Sequence, residues 1–187
     1  MNHNTPSHPD PSTLEILTRA IRDVPDFPKS GIVFKDIAPL CSDPVAFKTF
    51  IDYLADQVRE LKPDKIVCVD ARGFLFGGAL AYTLGCGSVL VRKKGKLPGD
   101  TLQAEYDLEY GSATLEIQQD ALALGERVLI IDDLLATGGT VSATIDLCRQ
   151  LGAEILACAF LIELTFLPGR DRLGDIPVIA PIQVDSE

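Results

Sequence analysis

The sequence predicts an α/β fold, with helices flanking a mostly parallel central sheet, on three observations. Short aliphatic runs such as residues 128–131 are typical of strands buried on both faces of a parallel sheet. These runs alternate with segments whose apolar residues recur at helical spacing, as over 141–151. Several runs end on charged residues or glycines, and ligands bind at this carboxyl edge in open parallel sheets.

Length and composition predict one domain. The chain has 187 residues, of which 47% are hydrophobic, so it can build a substantial core. Residues 1–11 are polar and contain prolines. We therefore expect a disordered N-terminal tail over 1–11 and a single domain over 12–187.

Charge and cysteine usage narrow the function classes. A net charge of −10 argues against general nucleic-acid binding, which needs a basic surface. No apolar run reaches the roughly 18 residues of a membrane span, and the chain does not begin like a signal peptide, so we expect a cytoplasmic protein without membrane contact. The five cysteines form no C-x-x-C pair and both histidines lie in the predicted tail, so we assign neither residue type any chemistry.

The first third of the chain predicts two helices joined by a turning segment. Ser12–Glu15 has the form of a capping box, which predicts a helix from about Thr13 to Arg22. Prolines and a glycine over 25–37 predict an extended loop across the sheet edge. Asp43, followed by a proline, predicts the start of a second helix, which apolar residues continue at helical spacing.

Two further strands end on charged residues. The run 65–69 predicts a strand, followed by Asp70, Ala71, Arg72 and glycines ahead of a helix over 79–84. The run 87–91 predicts another strand, and a cationic cluster over 92–96 follows it. In so acidic a chain, we interpret that cluster as a binding site for a local anion, although basic runs usually form a solvated face. Arg72 could instead pair with Asp70 alone.

The clearest ligand signal follows the strand at 128–131. Asp132 and Asp133 end it, a small turn rich in glycine and hydroxyl groups spans 136–140, and a helix runs from there to a glycine cap at 152. A helix N-terminus with nearby glycines suits a phosphate, but the sequence has neither the nucleoside-triphosphate loop nor the dinucleotide fingerprint. We predict one terminal phosphate held by backbone amides and threonine hydroxyls, with the two carboxylates accepting hydrogen bonds from sugar hydroxyls.

The remaining segments complete the sheet. Residues 101–112 are acidic and aromatic, and alternation over 113–118 predicts a returning strand, so the two form a long hairpin. Residues 154–162 predict a core strand, and 176–180 predict an edge strand because proline is tolerated there.

The run 132–140 resembles the phosphoribosyl diphosphate signature of the type I phosphoribosyltransferases, in the version found in members that act on adenine. Four more segments resemble family motifs in the family's order: 25–37, 70–77, 92–98 and 106–111. The resemblance covers about 25–170, most of the chain. It implies the family's fold, with a small N-terminal hood at 25–37 and a flexible catalytic hairpin loop at about 95–112.

The resemblance also implies an activity. A member of this kind transfers 5-phosphoribose from phosphoribosyl diphosphate to N9 of adenine, giving AMP and diphosphate in purine salvage. It implies Mg²⁺ as cofactor, held mainly through the diphosphate rather than by protein ligands, and a homodimer as the assembly.

For the base, the resemblance implies that Phe34 stacks on the purine and that the backbone around Val33 and Lys35 reads its edge. Leu164 packs on the far face of the base, although a plain core position fits it nearly as well. Lys35 stands where many members carry arginine.

For the sugar donor, the resemblance implies diphosphate contacts from the loop after the strand at 65–69 and from the basic run. These contacts come from Asp70, Ala71, Arg72, Arg92 and Lys96. Many relatives have serine where Ala71 stands. The ribose phosphate is held by Asp132, Asp133 and the turn residues Ala136, Thr137, Gly138, Gly139 and Thr140.

The resemblance implies catalytic roles for Glu109, Arg72 and Lys96. Glu109 manages the purine protons, and Tyr110 helps to close the loop. Two alternatives stay open: a phosphoribosyltransferase for 6-oxopurines or xanthine, and a non-catalytic regulator that senses phosphoribosyl diphosphate. The second would need a nucleic-acid-binding face, and the sequence offers none.

Overall fold

The computed structural model describes residues 8–107 and 112–186. Its helices are α1 (Pro11–Arg19), α2 (Ala38–Ser42), α3 (Pro44–Val58), α4 (Gly73–Leu84), α5 (Gly139–Gln150) and α6 (Gly169–Arg172), with a 3₁₀ turn at Arg59–Leu61. Its strands are β1 (Arg22–Pro25), β2 (Val33–Asp36), β3 (Lys65–Val69), β4 (Gly87–Lys93), β5 (Thr101–Asp107), β6 (Ser112–Gln118), β7 (Arg127–Ile131), β8 (Leu134–Leu135), β9 (Glu154–Ala159), β10 (Ile162–Leu164), β11 (Val178–Ile179) and β12 (Ile182–Val184).

A seven-stranded sheet in the order β11-β9-β7-β3-β4-β6-β5 forms the centre of the described residues. The first five strands are parallel to one another, and the β5–β6 hairpin adds two antiparallel strands beside β4. The predicted α/β class with a mostly parallel sheet is therefore confirmed.

The core lies on both faces of this sheet. In β3, Ile66 and Cys68 pack with α1, α3 and α4 on one face, whereas Val67 and Val69 pack with α5 on the other. Side chains of a strand alternate between the two faces, and both faces are covered here. This is why the strands are continuous aliphatic runs in the sequence.

Two smaller sheets lie outside the central one. β1 and β2 pair as an antiparallel ribbon, in which Val24 lies opposite Phe34. β8, β10 and β12 form a parallel sheet in the order β12-β10-β8. The prediction of a plain loop over 25–37 is wrong in part, because Val33–Asp36 is a strand. β8, β12 and α2 were not predicted.

Two helix boundaries differ from the prediction for identifiable reasons. The Asp10 carboxylate accepts hydrogen bonds from the Ser12 and Thr13 backbone amides, so α1 begins at Pro11 rather than Thr13, and it ends at Arg19 because Arg22 enters β1. α4 begins at Gly73, six residues before the predicted start. A Cβ at position 73 would lie 2.6 Å from the Ile131 carbonyl oxygen, so glycine lets α4 pack closely on β7.

The predicted strand over 154–162 is two strands. β9 ends at Ala159, and the chain then bends at Phe160 and Leu161 before β10 begins. The predicted edge strand at 176–180 is confirmed as β11, at one edge of the central sheet. Within 8–107 and 112–186, no helix has both the length and the apolarity needed to cross a bilayer.

Candidate active site

The carboxyl ends of β3, β4 and β7 carry most of the predicted site residues. Two ion pairs join the segments at these strand ends. Arg72 Nε lies 2.8 Å from Asp133 Oδ2, which joins the loops after β3 and β7. Arg92 Nε lies 3.1 Å from Asp70 Oδ2, which joins the carboxyl end of β4 to the loop after β3. Three segments far apart in sequence thus form one charged edge of the sheet.

The turn at 136–140 encloses a small cavity of about 90 Å³ at the start of α5. The cavity is lined by Asp132, Leu134, Leu135, Ala136, Thr137, Gly138, Gly139, Thr140, Val141 and Phe160. Gly138 precedes α5 with a φ of 82°, a left-handed conformation that favours glycine. The structure therefore brings all five predicted turn residues around one cavity at a helix N-terminus.

Backbone hydrogen bonds hold Asp132 and Asp133 against residues 159–162, at and after the end of β9. The Asp132 amide donates to the Ala159 carbonyl at 3.1 Å, and the Asp133 carbonyl accepts from the amides of Leu161 and Ile162 at 3.1 Å each. Asp132 lines the cavity. Burial, and then the adjacent Asp133 carboxylate, raise the pKa of Asp132 well above its usual range.

Arg72 contacts both the loop after β7 and the hood. Its Nε pairs with Asp133, whose side chain is 8% exposed, and its guanidinium carbon lies 5.8 Å from the centre of the Phe34 ring. Nearly half of the Arg72 side chain, 47%, remains exposed. The alternative that Arg72 pairs with Asp70 is wrong among the described residues, because Arg92 occupies that partner.

The basic run folds back on Arg92. Arg92 Nη1 donates to the Lys96 carbonyl oxygen at 3.2 Å, and Gly95 donates its amide to Glu116 Oε2 at 2.8 Å. Glu116 is buried at 4% exposure and also accepts from Gln103 Nε2 at 3.0 Å. The loop is therefore anchored by a carboxylate on the neighbouring hairpin, while the Lys96 side chain is exposed.

The predicted base-binding residues lie in two separate elements. Val33, Phe34 and Lys35 lie in β2, where Phe34 meets the Phe27 ring edge-on at 5.2 Å and Lys35 Nζ pairs with Asp23 at 2.8 Å. Leu164 lies at the end of β10 and packs partly buried against the core.

The predicted catalytic Glu109 and its neighbour Tyr110 lie outside the described residues. The described part of the hairpin ends with Asp107 opposite Ser112. Its two strands support the chain on either side of these positions.

Several residues that shape the site were not predicted. The anchor at Glu116 and the pairing of Arg72 with Asp133 depend on contacts between distant segments, whereas the Glu163–Arg170 ion pair joins β10 to the nearby α6. Asp133 and Arg72 were predicted as ligand contacts, but no sequence pattern indicated that they pair. A glutamate directly after an apolar run, as at Glu163, is the one local sequence signal that could have indicated a buried ion pair.

Among the described residues, no three His, Cys, Asp or Glu side chains cluster closely enough to hold a metal ion. The carboxylates of Asp70 and Asp133 each pair with an arginine. A magnesium ion at this edge would therefore take most of its ligands from a bound diphosphate and water, which is how Mg²⁺ usually binds beside phosphates.

Comparison with known proteins gives concordant results. The family model described as a phosphoribosyl transferase domain matches residues 44–174. An adenine phosphoribosyltransferase from Stochomys longicaudatus is 54% identical over 175 residues, which are 92% of this chain and 97% of the relative. The crystal structure of adenine phosphoribosyltransferase from Thermoanaerobacter pseudethanolicus superposes with a TM-score of 0.89 at 51% identity, covering 91% of this chain and 99% of that one. The Saccharomyces cerevisiae enzyme, solved with an imino-altritol bisphosphate and adenine, gives 0.86 at 44% identity, covering 91% and 98%.

Proposed function

The chain belongs to the phosphoribosyl transferase family, and within it to the adenine phosphoribosyltransferases, and we propose that the turn at 136–140 holds the 5-phosphate of its sugar donor. The reaction transfers 5-phosphoribose from phosphoribosyl diphosphate to adenine and gives AMP and diphosphate. The observation that carries the proposal is the cavity of about 90 Å³ at the start of α5. The 54% identity to an adenine phosphoribosyltransferase also favours adenine over the 6-oxopurine and xanthine alternative.

Backbone amides of the turn supply the main contacts to the phosphate. Ala136, Thr137, Gly138, Gly139 and Thr140 present amides at the positive end of the α5 dipole, where an anion is stabilised. The hydroxyls of Thr137 and Thr140 add donors. Because Gly138 adopts a left-handed conformation, the chain can turn tightly around the phosphate at the start of α5.

The ribose lies along the two aspartates that precede the turn. Asp132 lines the cavity and can accept a hydrogen bond from a ribose hydroxyl. Asp133 pairs with Arg72, so its carboxylate both orients that guanidinium and offers the sugar further acceptor capacity. The sugar is thereby held still while its anomeric carbon reacts.

The leaving diphosphate is bound at the charged edge. Arg72 and Arg92, each already oriented by an aspartate, supply positive charge with Lys96, and backbone amides near Ala71 supply further donors. Mg²⁺, held mainly by oxygens of the bound diphosphate, would supply further positive charge beside Arg72 and Arg92.

The base lies on the hood. Phe34 stacks on adenine, the backbone of Val33 and Lys35 reads its edge, and Leu164 covers the opposite face. Two contacts within the β1–β2 ribbon support this role. The Phe34 ring packs against the Phe27 ring and Lys35 forms an ion pair with Asp23, so both side chains of β2 are held in place.

The catalytic loop at 95–112 completes the site. Cleavage at the anomeric carbon passes through an oxocarbenium-like state, as in glycoside hydrolysis. Glu109 acts in proton transfer with the purine as N9 attacks. Tyr110 helps to close the loop, so that water does not hydrolyse the activated sugar.

A base-substitution assay tests the function directly. The protein is mixed with phosphoribosyl diphosphate, Mg²⁺ and, in turn, adenine, hypoxanthine or xanthine, and the nucleotide product is followed by absorbance and chromatography. AMP formed from adenine at a rate far above the other two nucleotides is the expected result. Binding of DNA or RNA without any turnover would instead support a regulator.

We further propose that the enzyme is a cytoplasmic homodimer. All five cysteines are free thiols, as expected in a reducing compartment. The dimer follows from the family resemblance, and light scattering should give twice the mass of the chain; the mass of a single chain would contradict it.

A further inference from the structure

We propose that Glu163 and Arg170 are positioning residues for the phosphate-binding turn, acting through α6, which packs behind it. The proposal rests on the role of the turn given above. Neither residue lines the cavity, so any effect on substrate must pass through the protein.

The two residues form a bidentate ion pair. Arg170 Nε donates to Glu163 Oε1 at 2.6 Å, and Arg170 Nη2 donates to Glu163 Oε2. Glu163 is 2% exposed, whereas 48% of the Arg170 side chain is open to solvent. A buried carboxylate depends on such a partner, because its charge cannot be hydrated. Two parallel hydrogen bonds also fix the orientation of the arginine, which a single contact would not do.

The ion pair places α6 directly behind the turn. A Cβ on Gly138 would lie 2.8 Å from the Gly169 carbonyl oxygen and 3.1 Å from its Cα, and a Cβ on Gly169 would overlap the Ala136 carbonyl oxygen. The backbones of the turn and of α6 are therefore in contact, with no side chain between them. A shift of α6 must move the turn with it.

α6 needs this tether. It has four residues, and an isolated helix of that length has no stability of its own in water. Arg170 is its second residue, next to the Gly169 that touches the turn. The ion pair thus links α6 to β10 through side chains.

Glu163 is well placed to define the position of the turn. It lies in β10, the middle strand of the β12-β10-β8 sheet, and its Cα partner in β8 is Leu135, the residue just before the turn. Glu163 is therefore linked through the strand pairing to the entry of the turn and through Arg170 to the wall behind it. Glu163 is thus connected to both sides of the cavity, the entry of the turn and the wall formed by α6.

A role in stability alone predicts a different outcome from a role in positioning. General loosening of the fold lowers the melting temperature and leaves the affinity of the folded fraction unchanged. A displaced turn weakens the binding of phosphoribosyl diphosphate, whose phosphate it holds. It leaves the binding of adenine on the hood unchanged. The ratio of the two KM values therefore separates the roles.

The test compares Arg170→Met with Lys65→Met, each assayed well below its melting temperature. Lys65 forms an ion pair with Glu126 at 3.0 Å at the amino end of β3, opposite the site, so its variant also loses an ion pair. We expect Arg170→Met to raise the KM for phosphoribosyl diphosphate by about tenfold or more, with the KM for adenine within about twofold. Lys65→Met should change neither, and Arg170→Lys, which keeps the charge but loses the fork, should lie between wild type and Arg170→Met.

The Gly138→Ala variant, assayed in parallel, separates failure of this proposal from failure of the proposed function. If Gly138→Ala raises the KM for phosphoribosyl diphosphate and Arg170→Met does not, the ion pair has no positioning role. If neither does, the turn at 136–140 is not the phosphate site, and that part of the proposed function fails while the activity itself stands. An equal rise in both KM values for Arg170→Met would also overturn the positioning role.

Discussion

Replacing Gly138 with alanine is the most informative single change in the turn, since it alters the backbone without removing a polar group. Gly138 has a φ of 82°, and an alanine there costs about 1–2 kcal/mol from the left-handed conformation. Its Cβ would also lie 2.8 Å from the Gly169 oxygen, where ordinary contacts begin at 3.4 Å, so the turn or α6 must move by about half an ångström.

Both costs can be measured. A loss of 1–2 kcal/mol lowers the melting temperature by about 2–8 °C in a chain of this size. Misplacement by 1 Å can cost about 100-fold in rate, so half of that displacement should cost about tenfold in kcat/KM for phosphoribosyl diphosphate. Steady-state kinetics with the donor varied at saturating adenine measures the second cost.

Gly125→Ala is the matched control. Gly125 has a φ of 79°, and nothing lies within 4 Å of an added Cβ, so that variant has the conformational cost without the collision. We expect both variants to melt earlier and only Gly138→Ala to lose affinity for the donor. If Gly138→Ala melts early but keeps the wild-type KM for phosphoribosyl diphosphate, the reasoning about the turn is refuted.

Three other predictions concern the acidic residues. Replacing both Asp132 and Asp133 by asparagine should lower turnover by about 100-fold or more with a native circular dichroism spectrum, because amide oxygens replace the carboxylate acceptors of the ribose hydroxyls and the amide nitrogens cannot accept; wild-type turnover would remove the ribose assignment. Glu109→Leu should lower kcat far more than it weakens donor binding, whereas Glu105→Gln in the exposed stem of the hairpin should not; an unchanged kcat would exclude Glu109 from the mechanism. The pKa of Asp132 is raised in the folded chain, so above about pH 4 the folded Asp132 still holds a proton that the unfolded Asp132 has lost. The free energy of unfolding therefore falls as pH rises from about 4 through the raised pKa of the folded state. Asp132→Asn should therefore melt later than wild type at pH 8, with the gap closing toward pH 4; earlier melting at pH 8 would contradict this sign.

The parts of the fold that were predicted depend on local patterns. β3, β7 and α3 could be placed because buried strands are aliphatic runs and because Asp43 and Pro44 form a helix start. The turn at 136–140 could be placed for the same reason, since it follows a strand and opens a helix. Patterns of this kind are written within about ten residues and need no knowledge of the rest of the chain.

The parts that were missed depend on distant contacts. The glycines at the start of α4 suggest a loop from propensity, but close packing against β7 favours a helix. The three-residue strand β10 has no signal of its own, since its partners β8 and β12 lie about 30 residues before it and 20 residues after it. Ion pairs such as Arg72 with Asp133 follow only when the sheet order is known.

A crystal structure with AMP would show whether the turn at 136–140 binds the sugar's terminal phosphate. We expect the 5′-phosphate within hydrogen-bond distance of the backbone amides of residues 137–140, with the ribose hydroxyls facing Asp132 and Asp133. AMP bound elsewhere, with its phosphate away from the start of α5, would contradict it.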